Sequence, residues 1–454
     1  MGLAAVAFTG CKSLYGRYER PDINTRGLVR DAVSATDTLA VADTSSFGDM
    51  PWRTVFTDSQ LQALIERGLV NNTDLLNAAL NVKMAEAQLK AARLAFVPSF
   101  TFSPQGTISS WDGNKAMKTY QLPVAASWSI DLFGNLLSQK RSSQMALLGT
   151  RDYQLVVKTN VISSIANMYY TLLMLDRQLA IVTDMENLTK DTWELMKVQK
   201  DLGRVRSTGV QSAEANYYSV QTQRVDLQRQ IREIENSLSL LLAQPVQTIA
   251  RGKLEDQSLP TNLSIGIGLR MLNNRPDIHY AEMSLAQCFY NVETARSKFY
   301  PNLTISGSGT FTNSSGIGIV NPGKWLLSAV GSLVQPIFQH GQIVAGLKVA
   351  KAQYEQAYNK WKNAILSAGS EVSNALVVYN SAEEKSRLEA KRIATLKQNV
   401  EDTKQLLNQS NSTYLEVITA QQNLLNAELS KVTDDFNKMQ AVVNLYQALG
   451  GGAK

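Results

Sequence analysis

Residues 303–312 read Leu-Thr-Ile-Ser-Gly-Ser-Gly-Thr-Phe-Thr, an order that no amphipathic helix fits. Leu303, Ile305, Gly307, Gly309 and Phe311 are apolar or small, whereas Thr304, Ser306, Ser308, Thr310 and Thr312 all carry hydroxyls. A period of two places alternate side chains on opposite faces of a strand. The same alternation runs through 121–132, where Leu122, Val124, Ala126, Trp128, Ile130 and Leu132 oppose Gln121, Pro123, Ala125, Ser127, Ser129 and Asp131. It recurs over 100–109, with Phe100, Phe102 and Ile108 facing Thr101, Ser103, Gln105 and Thr107. Over 325–335 it blurs, because Leu326, Val330 and Val334 stand on the face that should be polar.

Segments of about ten residues with one apolar and one polar face are the pattern of membrane β-barrel strands. Trp111, Tyr120, Phe311 and Trp325 fall near strand ends, where an aromatic girdle lies in such barrels. A soluble sandwich with one wet face has the same period. Four strands are expected, at about 99–109, 121–132, 302–312 and 325–336. Even the smallest membrane barrels need about eight. Membranous strands here therefore require several chains to share one barrel.

Outside the strands the chain reads as helix. From Gly341 to about Leu407 there is no proline, and apolar or small residues recur at helical spacing: Ala368, Val372, Ala375, Tyr379, Ala382, then Ile393, Leu396, Val400 and Leu407. Sixty-odd residues at about 1.5 Å each give roughly 100 Å. A similar stretch occupies about 135–199. A shorter helix from Thr413 to about Tyr446 carries the stripe Ile418, Leu425, Leu429, Val432, Phe436, Met439, Val443 and Tyr446. It is expected to stack end to end with a helix over 277–298. Such stripes make helix–helix seams, and a coiled-coil rod has them too, but a rod has no place for alternating strands.

The chain also repeats itself. Asn71-Asn72-Thr73-Asp74 answers Asn274-Arg275-Pro276-Asp277, Ala92-Arg93 answers Ala295-Arg296, and Phe96-Val97-Pro98 answers Phe299-Tyr300-Pro301. The offsets 277−74, 296−93 and 301−98 are each 203. Two similar halves follow, at 58–250 and 263–449, each with a helix ending before a proline, two strands, a long helix, a turn and a second helix.

Composition removes other classes. Forty-five Lys and Arg against 39 Asp and Glu give +6, with no basic block of the kind that tracks nucleic acid. Two Cys and two His, His279 and His340, leave no metal-ligand spacing. No phosphate loop or nucleophile elbow is present, so no catalytic residue, metal or cofactor is assigned. Cys288, between apolar neighbours, reads as an inert core thiol. No run of 18 apolar residues forms a transmembrane helix.

At the start, residues 1–10 (Met-Gly-Leu-Ala-Ala-Val-Ala-Phe-Thr-Gly) are short, apolar and rich in small side chains, and Cys11 follows at once. They read as a signal-peptide remnant lacking its basic opening. The Phe8–Cys11 junction resembles a bacterial lipobox, which makes Cys11 the lipidation candidate; the alternative is a chance Cys at a terminus. Residues 11–57 then read as a lipid-anchored tether.

Several motifs together resemble the TolC-like outer-membrane efflux channel family. They are Trp52, Phe56, Asp58, Leu61, Leu64 and Ile65 before Asn71–Leu75, then Ala92-Arg93 with Pro98, and Asp131-Leu132-Phe133-Gly134. Arg275-Pro276-Asp277, Pro336-Ile337-Phe338 and Tyr414-Leu415-Glu416-Val417 with Ala420-Gln421 complete the set. With Cys11, the nearest subgroup is the lipoprotein channels of tripartite RND-type exporters. Two departures touch loop geometry: Gln339-His340-Gly341 replaces a glycine pair, and Ser410 replaces a turn glycine.

The resemblance implies a mainly α chain with a membrane β-barrel part, as a homotrimer sharing a 12-stranded barrel and a long periplasmic α-helical barrel. It implies a passive conduit for drugs or other small molecules, set in outer-membrane lipid and served by a periplasmic adaptor and an inner-membrane RND or ABC transporter. Type I protein secretion, and less readily a structural coiled-coil envelope lipoprotein, are the alternatives. The turns at Leu202, Gly203 and Arg204 and at Gln409, Ser410 and Asn411 are expected to form the adaptor-contacting tip. The family's acidic gate residues match Glu416 and, at the second position, Thr419, with Asp402 able to supply another ring. Glu416 also suits the first turn of any solvated helix, where an acid meets the dipole.

Overall fold

A computed structural model describes residues 16–23, 28, 47–110, 112–113, 115–260, 274–314, 319–408 and 414–453. Cys11, Trp111, Gln409, Ser410 and Asn411 lie outside the described residues. The chain divides into two compact units.

The unit built from Met1–Ile23, Leu80–Asp152 and His279–Asn363 holds the sheet. Its strands are β1 (Ser99–Phe102), β2 (Gln105–Ser109), β3 (Met117–Ile130), β4 (Asn302–Ser314) and β5 (Ile319–Val334). All pairs are antiparallel, in the order β1–β3–β4–β5, with β2 also on β3. The expected first strand is thus broken at Ser103-Pro104, where proline removes a ladder donor. Asp131 and Leu132 fall beyond β3, which instead begins four residues before the expected Gln121. β5 ends at Val334, short of the expected Pro336.

Among the described residues there are eight α-helices: α1 (Trp52–Val55), α2 (Ser59–Asn71), α3 (Thr73–Leu94), α4 (Asn135–Asp201), α5 (Ser207–Leu241), α6 (Pro276–Ser297), α7 (Gln342–Asn408) and α8 (Tyr414–Ala448). The duplication is visible in their lengths. α3 and α6 have 22 residues, α4 and α7 have 67, and α5 and α8 have 35. The starts of α6 and α3 differ by 276−73, or 203, whereas 342−135 and 414−207 are both 207. The extra four residues therefore enter the second half between its first helix and its long one, where the strands are. No described helix is long and apolar enough to cross a membrane.

The second unit, Asn24–Ala79, Tyr153–Ile278 and Ala364–Lys454, has its own core. Phe47, Trp52, Phe56, Leu61, Leu64, Ile65, Tyr169, Tyr170, Leu172, Val443 and Tyr446 are all buried there. Tyr446 receives Phe47 and Phe56 edge-on at 5.5 and 5.9 Å and donates its hydroxyl to Met50 O at 2.7 Å. The packing explains why the stretch Trp52–Ile65 is apolar at these positions. At Gly68 a Cβ would lie 2.3 Å from Ile165 Cδ1, so a larger residue there would have to displace the tip of Ile165 where α2 meets α4.

Candidate functional site

Register settles the faces of the sheet. Leu122 pairs with Phe311 and Phe311 with Trp325; Val124 pairs with Gly309 and Gly309 with Leu327; Trp128 pairs with Ile305 and Ile305 with Gly331. Because directly paired residues share a face, Phe100, Phe102, Leu122, Val124, Trp128, Ile305, Phe311, Trp325, Leu327 and Leu333 form one apolar surface. Within one chain it is left open: Val124, Trp128 and Ile305 are 48%, 41% and 43% exposed, and Leu327 is 78% exposed. A contiguous apolar face of this extent marks contact with lipid or a partner. The opposite face carries Thr101, Ser127, Ser129, Thr304, Ser306, Ser308 and Thr310, with Ser308 and Ser328 hydroxyls 2.8 Å apart.

Aromatic rings close the apolar face at both ends. Tyr120, Phe311 and Trp325 stand in a row, with centroids 6.2 and 5.6 Å apart. At the other end Trp128 Nε1 donates to Phe96 O at 2.9 Å, and Phe133 stacks on Tyr300 at 5.1 Å. The ten residue steps from Tyr120 to Ile130 span about 34 Å along a strand, or about 26 Å of height at a tilt of about 40°. That matches the ~25 Å apolar band of membrane barrels. Of the four aromatics expected in a girdle, the structure brings together the three that it describes.

The first-half helix turn lies in the other unit. α4 ends in a Schellman motif: Gly203 has φ +73°, its N–H donates to Lys200 O at 2.9 Å, and Arg204 N–H donates to Gln199 O at 2.9 Å. The positive φ makes glycine the fitting residue. Leu202, Gly203 and Arg204 are exposed. Beneath them Met196 of α4, Ala213 of α5, Leu407 of α7 and Val417 of α8 form a buried cluster. The last turns of both long helices and the first turns of both shorter ones therefore meet at one apolar knot. A Cβ on Gly209 would come within 2.9 Å of Val205 Cγ1, 3.0 Å of Met196 Cε and 3.2 Å of Tyr414 Cδ1, so a methyl group there would have to push these side chains aside.

Glu416 and Thr419 are exposed on α8, on either side of buried Val417. Asp402 is exposed on α7 and accepts from Gln398 Nε2 at 2.8 Å within the same helix. The three candidates thus lie close to the knot in sequence and turn outward. Two features at this end were not anticipated from sequence. Lys197 Nζ stands 3.3 Å from the Trp193 ring centroid, and Trp193 stacks on Tyr217 at 5.6 Å. Gln421, itself buried, donates to Thr192 Oγ1 at 2.8 Å and ties α8 to α4. An i+4 aromatic–lysine spacing was the available signal for the first; nothing in the sequence marks the second.

Three polar nodes hold the helix ends. Arg275 is 6% exposed, grips Asp277 through two bonds of 3.0 and 2.6 Å, and donates to Ala448 O at 2.9 Å. Glu371 of α7 lies 2.7 Å from the same guanidinium. The Arg-Pro-Asp motif is thereby explained: Pro276 opens α6, where no donor is needed, and Arg275 caps the end of α8. In the first half Asn72 Nδ2 donates to Leu241 O at 2.9 Å while its Oδ1 receives Leu75 N–H at 3.0 Å. Positions 72 and 275, offset by 203, thus cap carbonyls 241 and 448, offset by 207. In each half the last turn of the 35-residue helix is thus capped by the residue that precedes, or lies at, the start of the 22-residue helix.

The third node is Asp58, which caps α2 through Gln60 N at 2.8 Å and accepts from the Tyr169 hydroxyl at 2.5 Å and Gln257 Nε2 at 2.8 Å. Burial opposes its ionisation, but these hydrogen bonds prevail and hold its carboxyl below the usual range. Cys288, expected as a core thiol, is only partly buried, and burial raises its thiol pKa. No cluster of metal-binding side chains occurs among the described residues.

Comparison with known proteins supplies the rest. A family model described as outer membrane efflux protein matches residues 64–244 and 269–451. The chain is 27% identical over 459 residues to the cation efflux system protein CusC of Escherichia coli K12, covering 99% of this chain and 98% of that one. It is 28% identical over 475 residues to the toluene efflux pump outer membrane protein TtgC of Pseudomonas putida, covering 100% and 95%. The solved structure of the outer-membrane channel OprN superposes with a TM-score of 0.85 at 22% identity, over 97% of this chain and 99% of that one.

Proposed function

Since the chain belongs to the outer membrane efflux protein family, we propose that it is the outer-membrane channel of a tripartite efflux system. It works as a homotrimer in which four strand positions per chain complete a 12-stranded barrel and the paired helices form a periplasmic tunnel. The conduit is passive and carries drugs or other small molecules handed over by an inner-membrane RND or ABC transporter through a periplasmic adaptor. No residue is assigned a catalytic role.

The observation that carries this reading is the register-aligned apolar face, about 26 Å tall and closed at both ends by aromatic rings. A soluble sandwich buries such a face against a second sheet, and none exists among the described residues. A rod-like envelope lipoprotein has no use for it. The repeats 58–250 and 263–449 are the units of the duplication, a division supported by the equal helix lengths. Cys11 is the lipid attachment point and opens the 11–57 tether, whose last residues, from Phe47 on, are packed into the core of the second unit. The turns at Leu202–Arg204 and Gln409–Asn411 meet the adaptor, which the exposed Schellman turn over a closed apolar knot supports. Glu416, with Asp402 behind it, lines the entrance.

Detergent extraction followed by particle imaging tests the assembly, and ion conductance in planar bilayers tests the pore. A monomer that stays soluble without detergent, or a trimer that never conducts, removes the reading.

A further inference from the structure

The blurred alternation of β5 has a defined geometry. Leu326 pairs with Thr310, Val330 with Ser306 and Val334 with Asn302, so all three aliphatic side chains stand on the hydroxyl-bearing face. They are 61%, 55% and 60% exposed and recur every fourth residue, about 13 Å apart along the strand. Ser328 and Ser332 alternate with them. The remainder of this face on β1, β3 and β4 is Ser, Thr, Ala, Gln, Asn302, Pro123 and Met117, and the register of β5 sets Lys324 opposite Thr312 at one end of it. The only lysine whose side chain is described on these strands, Lys118, pairs with Ile108 and belongs to the other face.

An aliphatic side chain in water gains by covering its surface with another apolar group, and burying one methylene shifts an equilibrium about four-fold. A hydrated ion gains nothing there. We propose that Leu326, Val330 and Val334 form an apolar ladder along the pore wall that transiently holds the apolar parts of organic solutes in transit, and that neutral or amphiphilic organic molecules, rather than hydrated metal ions, are the cargo this barrel favours. This rests on the reading of the hydroxyl face as the wall of the pore. The relatives do not decide the matter, since one is named for cations and another for toluene at nearly equal identity.

The test uses the full-length, detergent-purified protein in planar bilayers, with tetrabutylammonium and tetramethylammonium as probes of equal charge and different apolar surface. The wild type is expected to be blocked by tetrabutylammonium at a concentration at least ten-fold lower than by tetramethylammonium. The triple variant L326S/V330S/V334S is expected to lose about five-fold or more of that preference at unchanged open conductance. Leu327→Ser, on the opposite face of the same strand, is expected to leave it in place. Val330→Thr, which keeps the shape, covers the case where the triple variant fails to assemble, and should by itself weaken the preference about two-fold. A preference that survives both the triple variant and Val330→Thr overturns the ladder. So does a defect in assembly with unchanged block in Val330→Thr, because the three residues are then a packing surface. Absence of any wild-type conductance overturns the channel reading instead.

Discussion

Lysine at position 305 gives the sharpest test of the sheet. Ile305 lies on the apolar face opposite Trp128 and is six residues from Phe311 in the aromatic row. Six residues at about 3.4 Å and a tilt of about 40° set it about 16 Å below that row, hence about 10 Å above the other edge of the 26 Å band. A lysine facing lipid at that depth costs about 2–4 kcal/mol, and falls to about 0–1 near an interface. Three chains multiply this to about 6–12 kcal/mol per trimer, comparable with the whole stability of an ordinary folded protein. Leu303, two residues nearer the edge, sits about 5 Å from it and should cost far less. Thr304 faces the other way, so Thr304→Lys should assemble. The assay is the fraction of membrane-extracted chain that runs as trimer: low for Ile305→Lys, intermediate for Leu303→Lys, near wild type for Thr304→Lys. Equal yields for Ile305→Lys and Thr304→Lys would refute the face assignment and with it the barrel.

Other expectations concern the helical unit. Arg275→Met should lower the temperature at which the trimer dissociates, because it orphans the buried Ala448 carbonyl at about 1–3 kcal/mol, whereas Asp277 and Glu371, 39% and 51% exposed, regain water; Glu371→Gln should change it little, and the reverse ranking would discard the capping role. Asp58 has a folded pKa below its ordinary 3.8, so its stabilisation is present above that value and disappears as pH falls through the lower folded one. Asp58→Asn should therefore narrow the stability gap to wild type below pH ~4, read by acid-induced loss of trimer, and a constant gap across pH counts against it. Photocrosslinkers at Arg204 should capture the adaptor; capture from Lys118 alone would move the docking surface to the strands. Glu416→Gln should lower cation over anion selectivity in bilayers, since a ring of three carboxylates selects cations, while Glu389→Gln, paired with Arg392 at 3.1 Å, should not; equal behaviour reduces Glu416 to a surface acid.

Much of this was legible because period and offset are local properties. Alternation over 303–312 and the stripes of the long helices need no knowledge of partners, and helix bounds fall within a residue or two of the expected ones. The split of the first strand was not legible, since Pro104 is compatible with a bulge or an edge until its neighbour is known. Nor was the role of Arg275. An arginine before Pro-Asp suggests a helix start, but its acceptor, Ala448 O, lies 173 residues away and is a backbone atom with no sequence signature. The knot of Met196, Ala213, Leu407 and Val417 is equally invisible, because it joins four helices through single unremarkable side chains.

The two halves solve one problem with different chemistry. In each, a 35-residue helix runs its C-terminal carbonyls toward the start of a 22-residue helix, and one side chain must satisfy a carbonyl on one side and serve a helix N-terminus on the other. Asn72 does this alone, with an amide that is donor and acceptor at once. Arg275 can only donate, so the second half needs Asp277 to complete the N-terminal side, and proline at 276 to remove the donor that no cap serves. The price is a buried guanidinium, which Glu371 on the long helix α7 shares in neutralising. That extra contact has no counterpart at Asn72. It couples the helix junction of the second half to α7, which runs on to the turn before Glu416. The duplication therefore keeps the geometry of the junction while giving only one half an ionic link to its long helix, and the gate residues proposed here lie in that half.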